Sequence, residues 1–142
     1  MSAAAVPNQA TSWWMRAEHI AIVIIFVALA LAHLKDISWG RFICAFLLID
    51  LIGYLPGAVA SRRSRGKPIA PIYYLLYNLT HNYVVAGAAV VLWVLAAGGP
   101  EWAMVAVPIH LSGDRGLLGN FSKPLWLPFE PCSPAGATRD KQ

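Results

Sequence analysis

The sequence predicts an all-α integral membrane protein, folded as an antiparallel four-helix bundle. Three observations predict this class. Of the 142 residues, 58% are hydrophobic and 13% are charged, four long apolar segments follow one another, and the period-two alternation of a β-barrel is absent. Soluble domains carry about 25% charged residues, whereas about 20 apolar residues cross a bilayer as one helix. Short connections between the segments favour antiparallel neighbours.

Interfacial tryptophans and helix-breaking residues indicate where the segments begin and end. Trp13 and Trp14 precede the first segment. Pro56-Gly57 is expected to bend or end the second, and Gly98-Gly99-Pro100 separates the third from the fourth. One transmembrane domain is therefore predicted over 14–120, with a disordered N-terminal tail at 1–13 and an irregular C-terminal tail at 121–142. The predicted spans are 17–34, 42–60, 69–97 and 101–118.

The basic residues indicate the orientation in the membrane. Segment 61–68, SRRSRGKP, holds four basic residues, and the positive-inside rule places such a loop in the cytoplasm. Four spans then place both termini inside as well, and the opposite loop, AAGGPE, has no Lys or Arg. The two basic residues of turn 35–41 run against this assignment. The chain is predicted to be a multi-pass protein of the inner (plasma) membrane.

Polar side chains occur in all four segments, mostly in the half nearest the predicted cytoplasmic side. A charged group near the bilayer centre costs about 2.5–3.5 kcal/mol, so such groups usually face a bundle interior. At roughly 1.5 Å of rise per residue they lie at similar depths. Helical spacing also places His110 and Asp114, four residues apart, on one face. The set is Glu18, His19, Asp50, Tyr54, Tyr77, Asn78, His81, His110, Asp114 and Arg115.

This set of residue types suits a metal site or an acid–base site. Histidine nitrogen and carboxylate oxygen are common ligands of one divalent metal ion, and a histidine beside a carboxylate also serves acid–base chemistry without a metal. A lone membrane histidine or asparagine can instead only join helices, at around 0.6 kcal/mol. Glu18, His19, Tyr54, Tyr77 and Asn78 are predicted to support the site. The predicted metal ligands are His81, His110, Asp114 and Asp50, which with Arg115 are also the candidate catalytic residues.

Three stretches of the sequence together resemble a known family. They are IDLIGYLPG at 49–57, YNLTHNY at 77–83 and HLSGDRGLLGNFSK at 110–123, and they are similar to small bacterial membrane proteins grouped as domain-of-unknown-function family 4260. The resemblance covers 17–123 and departs after Arg115, where Gly-Asn-Phe-Ser-Lys replaces Gly-Tyr-Gly-Leu-Lys. It implies the membrane fold and the polar set, but no reaction. It carries over Asp50, Gly53, Tyr54, Tyr77, Asn78, His81, His110, Asp114 and Arg115.

Two functional hypotheses follow from the sequence. The first is a small membrane enzyme with a cytoplasm-facing polar pocket that acts on a lipid-soluble substrate. The second is a non-enzymatic accessory subunit of a larger membrane complex, or a protein that ligates a pigment or haem through a histidine. The expected partners are the lipid bilayer and either such a complex or further copies of the chain. Nucleic acid is not expected, because the basic residues do not spread over a folded face.

Cysteine labelling in intact cells tests the predicted orientation. Cys44 and Cys132 are replaced by serine, and one new cysteine is placed in segment 61–68. We expect a membrane-impermeant maleimide to leave that cysteine unlabelled, because the loop lies inside, and to label a Gly99→Cys control from outside. Ready labelling of the 61–68 cysteine from outside would overturn the orientation.

Overall fold

A computed structural model of the chain describes residues 9–65 and 67–130. These residues form helices and connections without a β-strand, which confirms the predicted all-α class. Residues 1–8 of the predicted N-terminal tail and 131–142 of the predicted C-terminal tail lie outside the described residues. The helices are α1 Gln9–Ala32, α2 Trp39–Gly53, α3 Leu55–Ser64, α4 Pro71–Thr80, α5 Tyr83–Ala97, a 3-10 helix Trp102–Val105, α6 Ala106–Gly113 and a π-helix Asp114–Leu118.

Two of the described stretches are long and apolar enough to cross a membrane. They are Ser12–Ala32 and Trp39–Ser64, and α4 with α5 makes a third if that pair counts as one broken span. None of the apolar window in Ser12–Ala32 is buried, and only 17% of that in Trp39–Ser64. Helices that expose so much apolar surface suit a lipid environment. Two to three candidate transmembrane helices thus indicate a membrane protein.

The third predicted segment, 69–97, is divided in two at residues 81–82. α4 ends at Thr80, and Asn82 takes an extended backbone conformation before α5 begins. The Asn82 Oδ1 atom accepts hydrogen bonds from the backbone N–H groups of Val84, at 2.8 Å, and Val85, at 3.4 Å. Asn82 is therefore an N-cap, which starts a new helix where the sequence pattern predicts a continuous one.

The fourth predicted segment, 101–118, consists of three short helical pieces of 4, 8 and 5 residues. It is not among the candidate spans found in the described chain. Pro108 gives a physical reason for the first of the two breaks, because it has no N–H to donate to the carbonyl of Met104. The α-helical pattern therefore begins at Ala106, and a 3-10 helix precedes it.

The described residues divide into two compact units, each with its own core. The first contains residues 9–47 and 82–121, and the second contains 48–81 and 122–130. In the first unit, Ala30, Ile37 and Val105 form a small buried cluster. In the second, α3 packs against α4, and the core consists of Ala58, Tyr74, Tyr77 and Phe129.

Within the first unit, α1 packs along α6 and the π-helix. Gly116 permits the close approach, because a Cβ atom there would lie 2.9 Å from the Ile20 backbone nitrogen. The Arg16 side chain also reaches from α1 to the π-helix, where it donates to the carbonyls of Gly116 and Leu117, each at 3.0 Å. These otherwise unpaired carbonyls at a helix end are thereby satisfied.

A Gly116→Ala substitution tests this approach. We expect it to lower the free energy of unfolding by about 1–3 kcal/mol, because the new methyl group has no space against the backbone of α1. Unfolding in detergent micelles, followed by circular dichroism, measures the change. Gly113→Ala is the matched control, because nothing lies within 4 Å of a Cβ at that glycine. Equal stability of the two variants would refute the packing argument.

Candidate functional site: an aspartate–histidine pair

Asp50 and His81, both in the second unit, form an acid–imidazole pair. Asp50 lies in the last turn of α2, and His81 directly follows α4. The Asp50 Oδ1 and His81 Nε2 atoms are 3.3 Å apart. His81 is buried, with 3% of its surface exposed, whereas 49% of the Asp50 side chain is exposed. The pair is therefore anchored on its histidine side and open on its carboxylate side.

The other ring nitrogen of His81 is held by its own helix. Nδ1 lies 3.1 Å from the Tyr77 carbonyl oxygen and 3.0 Å from the Thr80 hydroxyl oxygen. A carbonyl oxygen only accepts hydrogen bonds, so this geometry favours a proton on Nδ1. The Tyr77 ring stacks on the imidazole, with centroids 4.1 Å apart. These contacts fix the ring orientation and leave Nε2 directed towards Asp50.

Gly53 brings the two halves of the pair together. A Cβ atom at this position would lie 1.9 Å from the Thr80 hydroxyl oxygen and 3.4 Å from His81 Cε1. Only a glycine lets the end of α2 approach the end of α4 this closely. Asp50 lies one helical turn before Gly53, so the same approach places its carboxylate beside His81. The Asp-Leu-Ile-Gly stretch at 50–53 shows that a glycine follows the aspartate by one turn. No feature of the sequence, however, links Gly53 to Thr80.

The 3.3 Å contact is compatible with two arrangements of the neutral ring. In one, Nε2 carries the proton and donates it to the Asp50 carboxylate, while Nδ1 accepts from the Thr80 hydroxyl. In the other, the proton is on Nδ1 and the Nε2 lone pair faces the carboxylate, a repulsion that a cation between the two groups removes. A divalent metal ion bound by both atoms is such a cation. The geometry can therefore serve either acid–base or metal chemistry.

Asn78, predicted to support the site, instead binds the main chain of the C-terminal strap, the name we give to residues 122–130. Its Nδ2 atom donates to the Lys123 carbonyl at 2.9 Å, and its Oδ1 atom accepts from the Lys123 N–H at 2.8 Å. The Lys123 ammonium lies over three aromatic rings, 5.6 Å from the Tyr54 centroid, 5.0 Å from Tyr77 and 4.4 Å from Phe129. Nothing in the sequence pattern predicts this role of Lys123.

The other predicted site residues lie in the first unit. His110 on α6 is buried and meets the ring of Phe46 edge-on at 4.7 Å. Asp114 accepts a hydrogen bond from the Asn120 side chain at 3.0 Å. The Arg115 guanidinium lies 5.0 Å from the centre of the Tyr83 ring.

His19, which was predicted to support the site, contacts Ser112 and Tyr83 within the first unit. Its Nδ1 atom is 3.5 Å from the hydroxyl oxygen of Ser112, and its ring stacks on that of Tyr83. Ser112 is fully buried and is also hydrogen-bonded to the Tyr83 hydroxyl. Glu18, the preceding residue on α1, is exposed. Ser112 and Tyr83 were not predicted as site residues, because neither serine nor tyrosine is unusual in an apolar segment.

Comparisons of the chain with protein-family models, with curated proteins and with solved structures find no match. The resemblance to the small bacterial membrane family stays a prediction. The described chain is a helical protein with two to three candidate membrane spans. Its second unit contains a buried histidine paired with an aspartate.

Amide hydrogen exchange tests the pair of hydrogen bonds between the Asn78 side chain and the Lys123 backbone. In an Asn78→Ala variant we expect the Lys123 amide to exchange severalfold faster, because the hydrogen bond that its N–H donates to the Asn78 side chain, worth about 1 kcal/mol, is lost. Asn120→Ala is the control, since it removes one exposed side-chain hydrogen bond elsewhere in the chain. Unchanged exchange at Lys123 in the Asn78 variant would show that the strap is held by other contacts.

Proposed function

We propose that the protein is a small multi-pass membrane enzyme in which Asp50 and His81 bind a divalent metal ion that acts on a lipid-soluble substrate. One observation carries the proposal. The Asp50 and His81 ligand atoms are 3.3 Å apart, while the far nitrogen of the imidazole lies at the Tyr77 carbonyl. Metal-bound histidines commonly donate their second N–H to a backbone carbonyl, which fixes the tautomer and orients the ring.

The separation of the two atoms suits ligands that share one ion. Zinc binds histidine nitrogen at about 2.0–2.1 Å and carboxylate oxygen at about 2.0–2.2 Å, commonly with tetrahedral geometry. Those values place two neighbouring ligand atoms about 3.4 Å apart, close to the 3.3 Å between Asp50 and His81. The buried histidine would supply a rigid ligand, and the half-exposed carboxylate would leave the open side of the ion accessible.

His110 is our proposed third ligand, on the basis of the sequence argument. It lies midway along the fourth predicted segment, at the depth predicted for Asp50 and His81. Catalytic zinc ions commonly have three protein ligands and keep one position for water or substrate. Asp114 is the fourth predicted ligand; its Oδ1 atom accepts a hydrogen bond from Asn120, and ligating carboxylates are commonly hydrogen-bonded in this way.

An ion held in this way would polarise a substrate carbonyl or lower the pKa of a bound water, so that hydroxide forms near neutral pH. The apolar helices support a substrate that arrives from the lipid phase. The basic segment 61–68 and the depths of the polar residues support four antiparallel spans, with both termini and the site on the cytoplasmic side. The alternative is an accessory subunit with the same fold, in which a histidine binds a pigment or haem instead of a catalytic metal ion.

Metal analysis of protein purified in detergent tests the proposal. We expect about one zinc, iron or manganese ion per chain, and at least about a tenfold lower content in Asp50→Asn and His81→Gln, because each removes a ligand. His110→Ala is expected to lower the content as well. Circular dichroism of each variant verifies that the helices are retained.

Asp36→Asn is the matched control for this experiment. Asp36 and His33 form a second carboxylate–histidine pair, with Nδ1 and Oδ2 3.2 Å apart, but both side chains are substantially exposed. We expect this variant to keep its metal. Wild-type protein that takes up no metal on reconstitution would rule the proposal out, and so would full metal content in Asp50→Asn. Absorbance bands of a haem or pigment that are lost in a histidine variant would favour the accessory-subunit alternative.

A further inference from the structure

The second unit contains a cleft of about 330 Å³ that is separate from the aspartate–histidine pair. One wall is the end of α3 with the connection to α4, and the other is the C-terminal strap. The cleft is lined by basic, aromatic and apolar side chains, including those of Arg62, Lys67, Tyr74, Trp126 and Glu130. Neither the proposed metal site nor its predicted supporting residues account for this cleft.

The charges of the cleft favour an anionic ligand. Arg62 and Lys67 both line the cleft, and both are exposed. Glu130 is the one acidic residue in its lining. Its Oε1 atom is 3.6 Å from the Lys123 ammonium, so a third cation largely offsets its charge. An arginine fork and a lysine ammonium are the groups with which proteins most often bind phosphate.

The position of the cleft along the chain matches that of lipid headgroups. Arg62 is the third residue from the end of the candidate span Trp39–Ser64. On the strap, Leu125, Trp126 and Leu127 are 62%, 78% and 53% exposed. Exposed tryptophan and leucine side chains beside basic residues are typical of a surface at the membrane–water interface. The cleft thus has cationic groups for a phosphate and an adjoining apolar edge for acyl chains.

The wall formed by the strap is built into the fold. The Tyr74 hydroxyl donates to the Leu127 carbonyl at 2.9 Å, and the Lys123 ammonium donates to the Phe129 carbonyl at 2.6 Å. Phe129 is 2% exposed and occupies the space beside Gly57, where a Cβ atom would lie 2.2 Å from the ring. The strap is therefore held on both sides of Trp126. Ligand binding would not have to order this wall of the cleft, which avoids one entropic cost of binding.

We infer that this cleft binds the headgroup of an anionic phospholipid, with the phosphate between Arg62 and Lys67 and the acyl chains along Leu125 and Trp126. The inference does not depend on the proposed metal site, because no residue of the cleft belongs to the aspartate–histidine pair.

Native mass spectrometry of the detergent-purified protein, titrated with phosphatidylglycerol or phosphatidylcholine, tests the inference. We expect a single preferred site for phosphatidylglycerol. The double variant Arg62→Gln/Lys67→Gln is expected to weaken it about tenfold, because two basic residues near the phosphate are lost. Both side chains are exposed, so this variant is expected to fold normally.

Arg63→Gln/Arg65→Gln is the matched control, because it removes two charges from the same segment at exposed positions that do not line the cleft. We expect it to change phosphatidylglycerol binding by less than about twofold. Equal weakening by the two double variants would reduce the effect to general attraction and overturn the inference. Equal affinity for phosphatidylcholine would also overturn it, as would displacement of the lipid by millimolar inorganic phosphate, which would identify a free anion as the ligand.

Discussion

The second unit depends on the absence of side chains at two positions, Gly53 and Gly57, which lie four residues apart. A methyl group at Gly53 would collide with Thr80, and one at Gly57 would collide with Phe129. One glycine therefore admits the end of α4 and the other admits the strap. Glycines at this spacing are known for letting two membrane helices approach. Here the same spacing also accommodates an aromatic side chain from an irregular segment.

The sequence predicted those features that follow from composition and periodicity. The apolar segments indicated helices, and the similar depths of polar residues indicated that Asp50 and His81 belong together. The breaks in the helices were harder to predict. The cap formed by Asn82 depends on the backbone conformation of that one residue. The break between the 3-10 helix and α6 depends on Pro108, which has no backbone N–H to donate. Breaks that depend on a single residue leave no periodic pattern in the sequence from which they could be predicted.

The strap was predicted as part of an irregular tail, because the tail at 121–142 is rich in proline and small residues. It nevertheless has defined contacts, and many of them use main-chain atoms or aromatic faces. Asn78 shows why its own partner could not be predicted. An amide can bind a metal-site neighbour or an extended backbone equally well, and the choice depends on which segment passes beside it. The amide here binds the backbone of Lys123 on both its donor and acceptor sides.

Tyr77 connects the two functional regions of the second unit. Its ring stacks on the imidazole of His81 and also lies beneath the ammonium of Lys123, 5.0 Å away. A ligand that favours one position of the strap would therefore change how firmly that imidazole is held. Thermodynamic linkage makes such an influence mutual, since occupancy at either place alters affinity at the other by the same factor. If both proposed sites are occupied, anionic lipid in the bilayer would change the affinity of Asp50 and His81 for a metal ion.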